Sequence, residues 1–404
     1  MTPAEAQRVI ESLRKGIPPN GFVRRFTVGR RSEINQLAAR LSQGNSGALL
    51  LKANYGSGKT HLLRFIRETA LQEGFAVSYI ALDARSAVRF NRMDQIFGAT
   101  ARHVEVPSAP EQGPSVIFGA ILKALTSSCD DVERRRCLDK LSNGGKWDHS
   151  DALKSPALFI ALRAWITANM RDEADPQLTK EAEDWICAPW SYCSQRRWLY
   201  QRFVSGLRAY FRDSRPEWQF YQPATGVFDF RGGDYRQSWD ALADLDRLAQ
   251  FAGFKGLILL VDEFEDVIYN LKRINYQEAA FWNLFRLFDG WFPGLSFYAV
   301  TPGFVEKCKR RLFEKGKYDY DYTRFEELPA FEMSPLDVSD LEDLAMRIMD
   351  AHGVAYNWEP DFVMKRSQLK SLVGRVASVP VQDRARQTII EVVKSLDRML
   401  ETVA

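Results

Sequence analysis

Apolar residues recur at helical spacing near both ends of the chain and form short unbroken runs between them. In "AEAQRVIESLRKG", Ala6, Val9, Ile10 and Leu13 fall on one stripe, which predicts a helix that "IPPNGF" ends. "RSEINQLAARLSQG" repeats the spacing through Ile34, Leu37, Ala38 and Leu41. The run "ALLLKA" (48–53), bounded by "GNSG" and "NYGSG", predicts a buried strand. A helix follows over "KTHLLRFIRETALQEG", with Leu62, Leu63, Ile66 and Ala70 inward, and "AVSYIALDA" (76–84) predicts the next strand. Strand, Gly-rich turn, helix and strand make a βαβ unit, and therefore a parallel sheet.

Beyond residue 84 the pattern blurs. "VPSAPEQGPS" reads as a loop, while "VIFGAILKAL" and "ALFIALRAWITANM" read as helical pieces. Tryptophans are dense here, at positions 147, 165, 185, 190, 198, 218 and 239. The α/β pattern returns with a strand at "GLILLVDEFED" (256–266), a helix at "EAAFWNLFRLFDGWF" and a strand at "LSFYAVTPG" (295–303). From "SPLDVSDLEDLAMRIMDAHG" onward the chain reads as helical, closing with "VQDRARQTIIEVVKSLDRML".

Charge adds little to this picture. The 55 basic and 52 acidic residues leave a net charge of +3, so any nucleic-acid face must come from local clustering. The five cysteines, Cys129, Cys137, Cys187, Cys193 and Cys308, form no C-x-x-C pair, which argues against a zinc site or a disulfide framework. Scattered thiols, a charged amphipathic start and no bilayer-length apolar run point to a cytoplasmic protein away from the membrane.

Chemistry concentrates in "ANYGSGKTH". A polyphosphate needs backbone N–H donors, a cation and a helix N-terminus aimed at it. The candidate loop runs through Ala53, Asn54, Tyr55, Gly56, Ser57, Gly58, Lys59 and Thr60 to His61, whose side chain is read as packing. Gly56 and Gly58 permit the tight turn, Lys59 reaches the β- and γ-phosphates, and Thr60 offers its hydroxyl to Mg²⁺. Ala53 stands where this pattern has its leading glycine, a departure that is mild while its φ stays negative.

"LILLVDE" supplies the partner acids. Asp262 would hold Mg²⁺ through water, and Glu263 would orient the attacking water. The Asp-Glu pair points to ATPases that insert one more strand between the phosphate-loop strand and the acid strand. "LSFYAVTPG" fits that strand, with Thr301 at its tip near the γ-phosphate or the water. Arg324, before the extended run leading to "SPL", suits a finger into a neighbouring subunit's site. In the last helix, Arg384 and Arg386 both suit a contact from a lid, and Arg386 is slightly favoured.

Together, "TVGRRSEINQL", "ANYGSGKTHLL", "LLVDEFED", "YAVTP", "TRFEEL" and a helical tail with an arginine resemble the AAA+ ATPases. More narrowly, "RVIESLRKGIPPN", "HLLRFIRETALQEGFAVSYIAL" and "SPLDVSDLEDLAMRI" resemble the BrxD-like ATP-binding proteins of bacterial BREX-type phage-defence islands. The resemblance implies an ATP- and Mg²⁺-dependent ATPase acting on DNA or on partner proteins, with a homo-oligomer among the candidate assemblies, and carries an adenine-side role to Val28, Gly29 and Arg30. The expected architecture is an α/β parallel-sheet core (1–84 and 240–335), a mostly helical Trp-rich insertion (85–239) and a helical lid (336–404). The insertion follows from the gap of about 200 residues between Lys59 and Asp262.

Within the insertion, "WSYCSQRRWLYQRFVSGLRAYFRDSRPEW" interleaves arginines and aromatics, a composition suited to nucleic acid. Leu199, Phe203, Leu207 and Tyr210 also share one helical stripe, and the amphipathic helix is the stronger of the two readings. The function expected is ATP turnover coupled to a conformational change on DNA or a partner. The alternative is a nucleotide-gated signalling scaffold that binds ATP, turns it over slowly and recruits an effector.

Overall fold

The structure is a computed structural model. It describes residues 1–43, 46–54, 56–83, 86, 88–107, 109, 111–126, 150, 152–169, 176–187, 201–206, 208–209, 227, 230, 233–266, 273–314, 320–360, 364–376, 379–380 and 383–403. The apolar runs form a sheet of six strands: β1 (Gly47–Lys52), β2 (Ala76–Ala81), β3 (Val104–Glu105), β4 (Leu257–Asp262), β5 (Leu295–Val300) and β6 (Ala330–Glu332). Their order is β3-β2-β4-β5-β1-β6, parallel throughout except for the short β2–β3 pair. β5 therefore lies between β1 and β4, as the Asp-Glu motif predicts. Every residue of β4 and β5 is buried, which is why both read as unbroken apolar runs rather than as alternation.

Register fixes where the site falls. Lys52 pairs with Val300, and Ala81 with Asp262. The loop after β1, the acids at the end of β4 and Thr301 after β5 thus emerge at one edge, the carboxyl ends of parallel strands where open α/β sheets bind ligands. One face, with Leu49, Leu51, Ile258, Leu260 and Phe297, packs on the helices Arg31–Ser42 and Lys59–Gln72. The other, with Leu50, Leu259, Val261, Tyr298 and Val300, meets residues from the helices Met93–Arg102, Pro156–Asn169, Pro176–Ile186, Arg236–Phe251 and Ile274–Phe288. The last of these ends at Phe288, earlier than "FDGWF" suggests, because Gly290 turns the chain with φ +82°.

A third core forms away from the sheet. Val9, Ile10 and Leu13 of the N-terminal helix Pro3–Arg14 pack with Leu344, Ile348, Val392 and Leu396 of the helices Val338–Tyr356 and Arg384–Val403. Burying each such side chain is worth about 1.5–3 kcal/mol. The two chain ends are thereby held in one bundle beside the sheet.

Helical pieces within the expected insertion are present at Pro114–Thr126, Pro156–Asn169 and Pro176–Ile186. Trp165, Trp185 and Trp239 are core residues there. Trp147, Trp190, Trp198 and Trp218, with Cys129, Cys137 and Cys193, lie outside the described residues. So do most of the Arg-aromatic stretch, including Leu199, Leu207 and Tyr210. Phe203, within it, is fully buried, in keeping with the amphipathic helix. No helix among the described residues is long and apolar enough to cross a membrane.

The terminal bundle contains a polar cluster with a pH consequence. His352 is fully buried. Its Nδ1 accepts from Trp358 Nε1 at 2.9 Å, so the ring proton sits on Nε2, 3.0 Å from Asp397 Oδ1. Arg14 binds the same carboxylate at 2.9 Å. Burial pushes the imidazole below its ordinary value of 6.5, with Asp397 pulling it up and Arg14 down. The unfolded chain therefore takes up this proton first. The contribution to stability is complete above pH 6.5 and is lost as pH falls toward the folded value. The thermal midpoint is expected to drop between about pH 7 and about pH 5.5, and less steeply in His352→Gln, by unfolding scans across a pH series.

Candidate functional site

The chain leaves β1 at Lys52 and enters the helix Lys59–Gln72 after a turn through residues 53–58. Gly56 and Gly58 take φ of +75° and +92°, where glycine meets no Cβ penalty. Ala53 is not among the residues with positive φ, and its N–H reaches Val300 O at 3.2 Å. An alanine methyl is therefore accommodated where the pattern has glycine. Tyr55 lies outside the described residues.

Lys59 is buried. Its Nζ donates to the carbonyls of Ala53 at 3.1 Å and Asn54 at 3.5 Å, and stands 3.8 Å from Glu265 Oε1. Burial lowers its pKa, Glu265 and Asp262 pull it up, and Lys307 opposes them. A bound phosphate would return the solvation that burial has removed. Thr60 Oγ1 donates to Asp262 Oδ2 at 2.8 Å, joining positions 202 residues apart. The other oxygen, Oδ1, accepts the Glu263 backbone N–H at 2.9 Å. Glu263 itself is left-handed, with φ +56°.

These groups line one side of a cavity of about 480 Å³. Ile17, Pro18, Val28, Leu336, Leu344 and Ile389 form an apolar wall. A polar floor at a helix N-terminus with an apolar wall suits phosphates joined to a flat ring. The Thr60 hydroxyl and the Asp262 carboxylate are hard oxygen donors. They fit Mg²⁺, which takes one or two protein oxygens and fills its octahedron with phosphates and water.

The segment 27–30 closes the cavity from the N-terminal side. Arg30 is buried and staples two segments, donating to Ser57 O at 2.7 Å and Ser334 O at 3.1 Å. Burial depresses its pKa, while Glu33 and Asp340 support the charge. Thr27 Oγ1 donates to Val23 O and lies 2.9 Å from His61 Nε2, so it accepts the Nε2 proton of a neutral ring. Burial, with Arg30 and Arg64 adding repulsion, pushes His61 down to about 4. Gly29 has φ +64°, and a Cβ there would fall 2.2 Å from Asp340 Cγ, at the capped start of the helix Val338–Tyr356. Gly29→Ala is expected to lose about 1–3 kcal/mol from backbone strain alone and more from the clash, seen as a lower denaturation midpoint.

The other expected site residues are more dispersed. Arg386 lines the cavity from the final helix, packed against Gly16. Thr301 is buried at the tip of β5 and accepts from Lys307 Nζ at 3.3 Å, outside the cavity lining. Arg324 is remote from the cavity. It lies over the Phe285 ring at 4.4 Å and pairs with Asp289 at 2.7 Å, both partners half exposed.

Besides the apolar wall, the side chains near the site that were not expected there include Arg64, Tyr79, Glu265 and Lys307. Glu265 sits three places after Asp262 in an acidic run, and Arg64 one helical turn after Thr60, so spacing offered a cue for both. Tyr79 and Lys307 come from strand and helix positions that carry no motif.

A family model described as BREX system ATP-binding protein BrxC/D matches residues 1–137 and 234–404. Both matched stretches contribute to the cavity, the first through the phosphate loop and the second through the acids and the terminal helices. No curated protein and no solved structure matches the chain.

Proposed function

The chain belongs to the BrxC/D family of BREX system ATP-binding proteins, and from that premise we propose that it binds Mg²⁺·ATP in the 480 Å³ cavity and hydrolyses it. The observation that carries this reading is the 2.8 Å contact between Thr60 and Asp262 beside a buried Lys59. Lys59 and the loop N–H groups grip the phosphates. Thr60 and Asp262 hold Mg²⁺, which would neutralise charge on the transferring phosphoryl group. Glu263 orients the attacking water, and Thr301 helps to place it. Val28, Gly29 and Arg30 border the adenine, and Arg386 contacts the nucleotide from a lid (336–404). Arg324 serves the site of a second copy, which requires its release from Asp289.

Turnover in this proposal drives a conformational change on DNA or on another protein of the defence system. Arg30 gives it a route, since one side chain joins the phosphate loop to the segment leading into the terminal bundle. The test is steady-state ATP hydrolysis by the purified chain, with and without duplex DNA. Turnover that rises with DNA supports the proposal. ATP bound but turned over slowly, indifferent to DNA, would replace it with a nucleotide-gated scaffold that recruits an effector.

A further inference from the structure

A second cavity, of about 530 Å³, lies beside the first and is bordered by Arg64, Arg67, Tyr79, Arg102 and Glu105. Arg64 borders both cavities and donates to Pro18 O at 2.5 Å. Between them stands Tyr79, a β2 residue paired in register with Leu260 of β4. Side chains two apart on a strand share a face, so Tyr79, Leu260 and Asp262 point the same way. The Tyr79 hydroxyl donates to Asp262 Oδ2 at 2.5 Å, and Arg64 interacts with the same hydroxyl.

A carboxylate offers about four acceptor positions. Three on Asp262 are taken, two on Oδ2 by Thr60 and Tyr79 and one on Oδ1 by the Glu263 N–H. That leaves one lone pair for a metal-bound water, with the carboxylate unable to swing. Ring packing alone would be served as well by Phe. What the hydroxyl adds to the ring is its hydrogen bond to the acid.

We infer that Tyr79 is a positioning residue for the nucleotide-bound metal, fixing the Asp262 carboxylate through its hydroxyl. The inference rests on the proposed Mg²⁺·ATP site. Partners behind a metal ligand commonly change metal affinity about 10–100-fold when removed.

The experiment titrates Mg²⁺ into the full chain with a bound fluorescent ATP analogue, for wild type and Tyr79→Phe. Tyr79→Phe is expected to raise the Mg²⁺ concentration for half-maximal response roughly 10-fold. Analogue binding in EDTA should not change, while the ligand-free thermal midpoint is expected to fall modestly from the lost hydrogen bond. A wild-type Mg²⁺ response preserved in Tyr79→Phe overturns the inference alone. Absence of any Mg²⁺ response in the wild type overturns the proposed site and the inference with it.

Discussion

Replacing Glu263 with Gln is expected to leave Mg²⁺·ATP bound while slowing its hydrolysis roughly 10²- to 10⁴-fold, the usual contribution of a positioned general base. Lys59, Thr60 and Asp262, the residues proposed to hold phosphate and metal, are untouched by the change. Glu263 lines the cavity, yet its backbone is left-handed at φ +56° without being glycine. Such a conformation costs of order 1–3 kcal/mol and persists where the surroundings impose it. Here the Asp262 carboxylate holds the Glu263 N–H at 2.9 Å. The strained turn follows directly on β4 and leaves Glu263 among the residues that line the cavity. Gln keeps size and polarity but cannot take a proton. Single-turnover hydrolysis beside equilibrium binding separates the outcomes. Loss of binding in Glu263→Gln would assign the residue to the metal or to the loop, and an unchanged rate would send the search for the base to Glu265, 3.8 Å from Lys59.

Much of this site is legible in the sequence because its parts obey local rules. An apolar run, a glycine turn and a helical stripe mark β1 and its loop. A second run ending in Asp-Glu marks β4, and parallel pairing brings both ends to one edge. What the sequence leaves open are the partners across the fold. The stripe of Val9, Ile10 and Leu13 says that one face of the first helix is buried, but not that the C-terminal helices cover it. The Tyr79 hydroxyl reads as one more aromatic in a strand until register sets it beside Asp262. Arg324 reads as a candidate finger, and its cradle on Phe285 and Asp289 follows only from the packing of the helix Ile274–Phe288.

Lys59→Met is expected to weaken ATP binding by roughly 10- to 150-fold without lowering the stability of the ligand-free chain. The first effect follows from losing a charge-assisted hydrogen bond to phosphate, worth about 1.5–3 kcal/mol. The second follows from where the ammonium sits. Burial disfavours its charge and lowers its pKa, and two carbonyls with one carboxylate 3.8 Å away return part of the lost hydration. Methionine fills the same volume with an apolar stem and removes that cost, while the Ala53 and Asn54 carbonyls each lose a donor; the two effects oppose one another. Calorimetric titration with ATP and thermal unfolding of the same samples test both halves. A Lys59→Met chain that binds ATP as tightly as wild type would remove Lys59 from the phosphate site. One that loses binding only by unfolding would make the lysine part of the scaffold, with its charge kept for the loop rather than for a ligand.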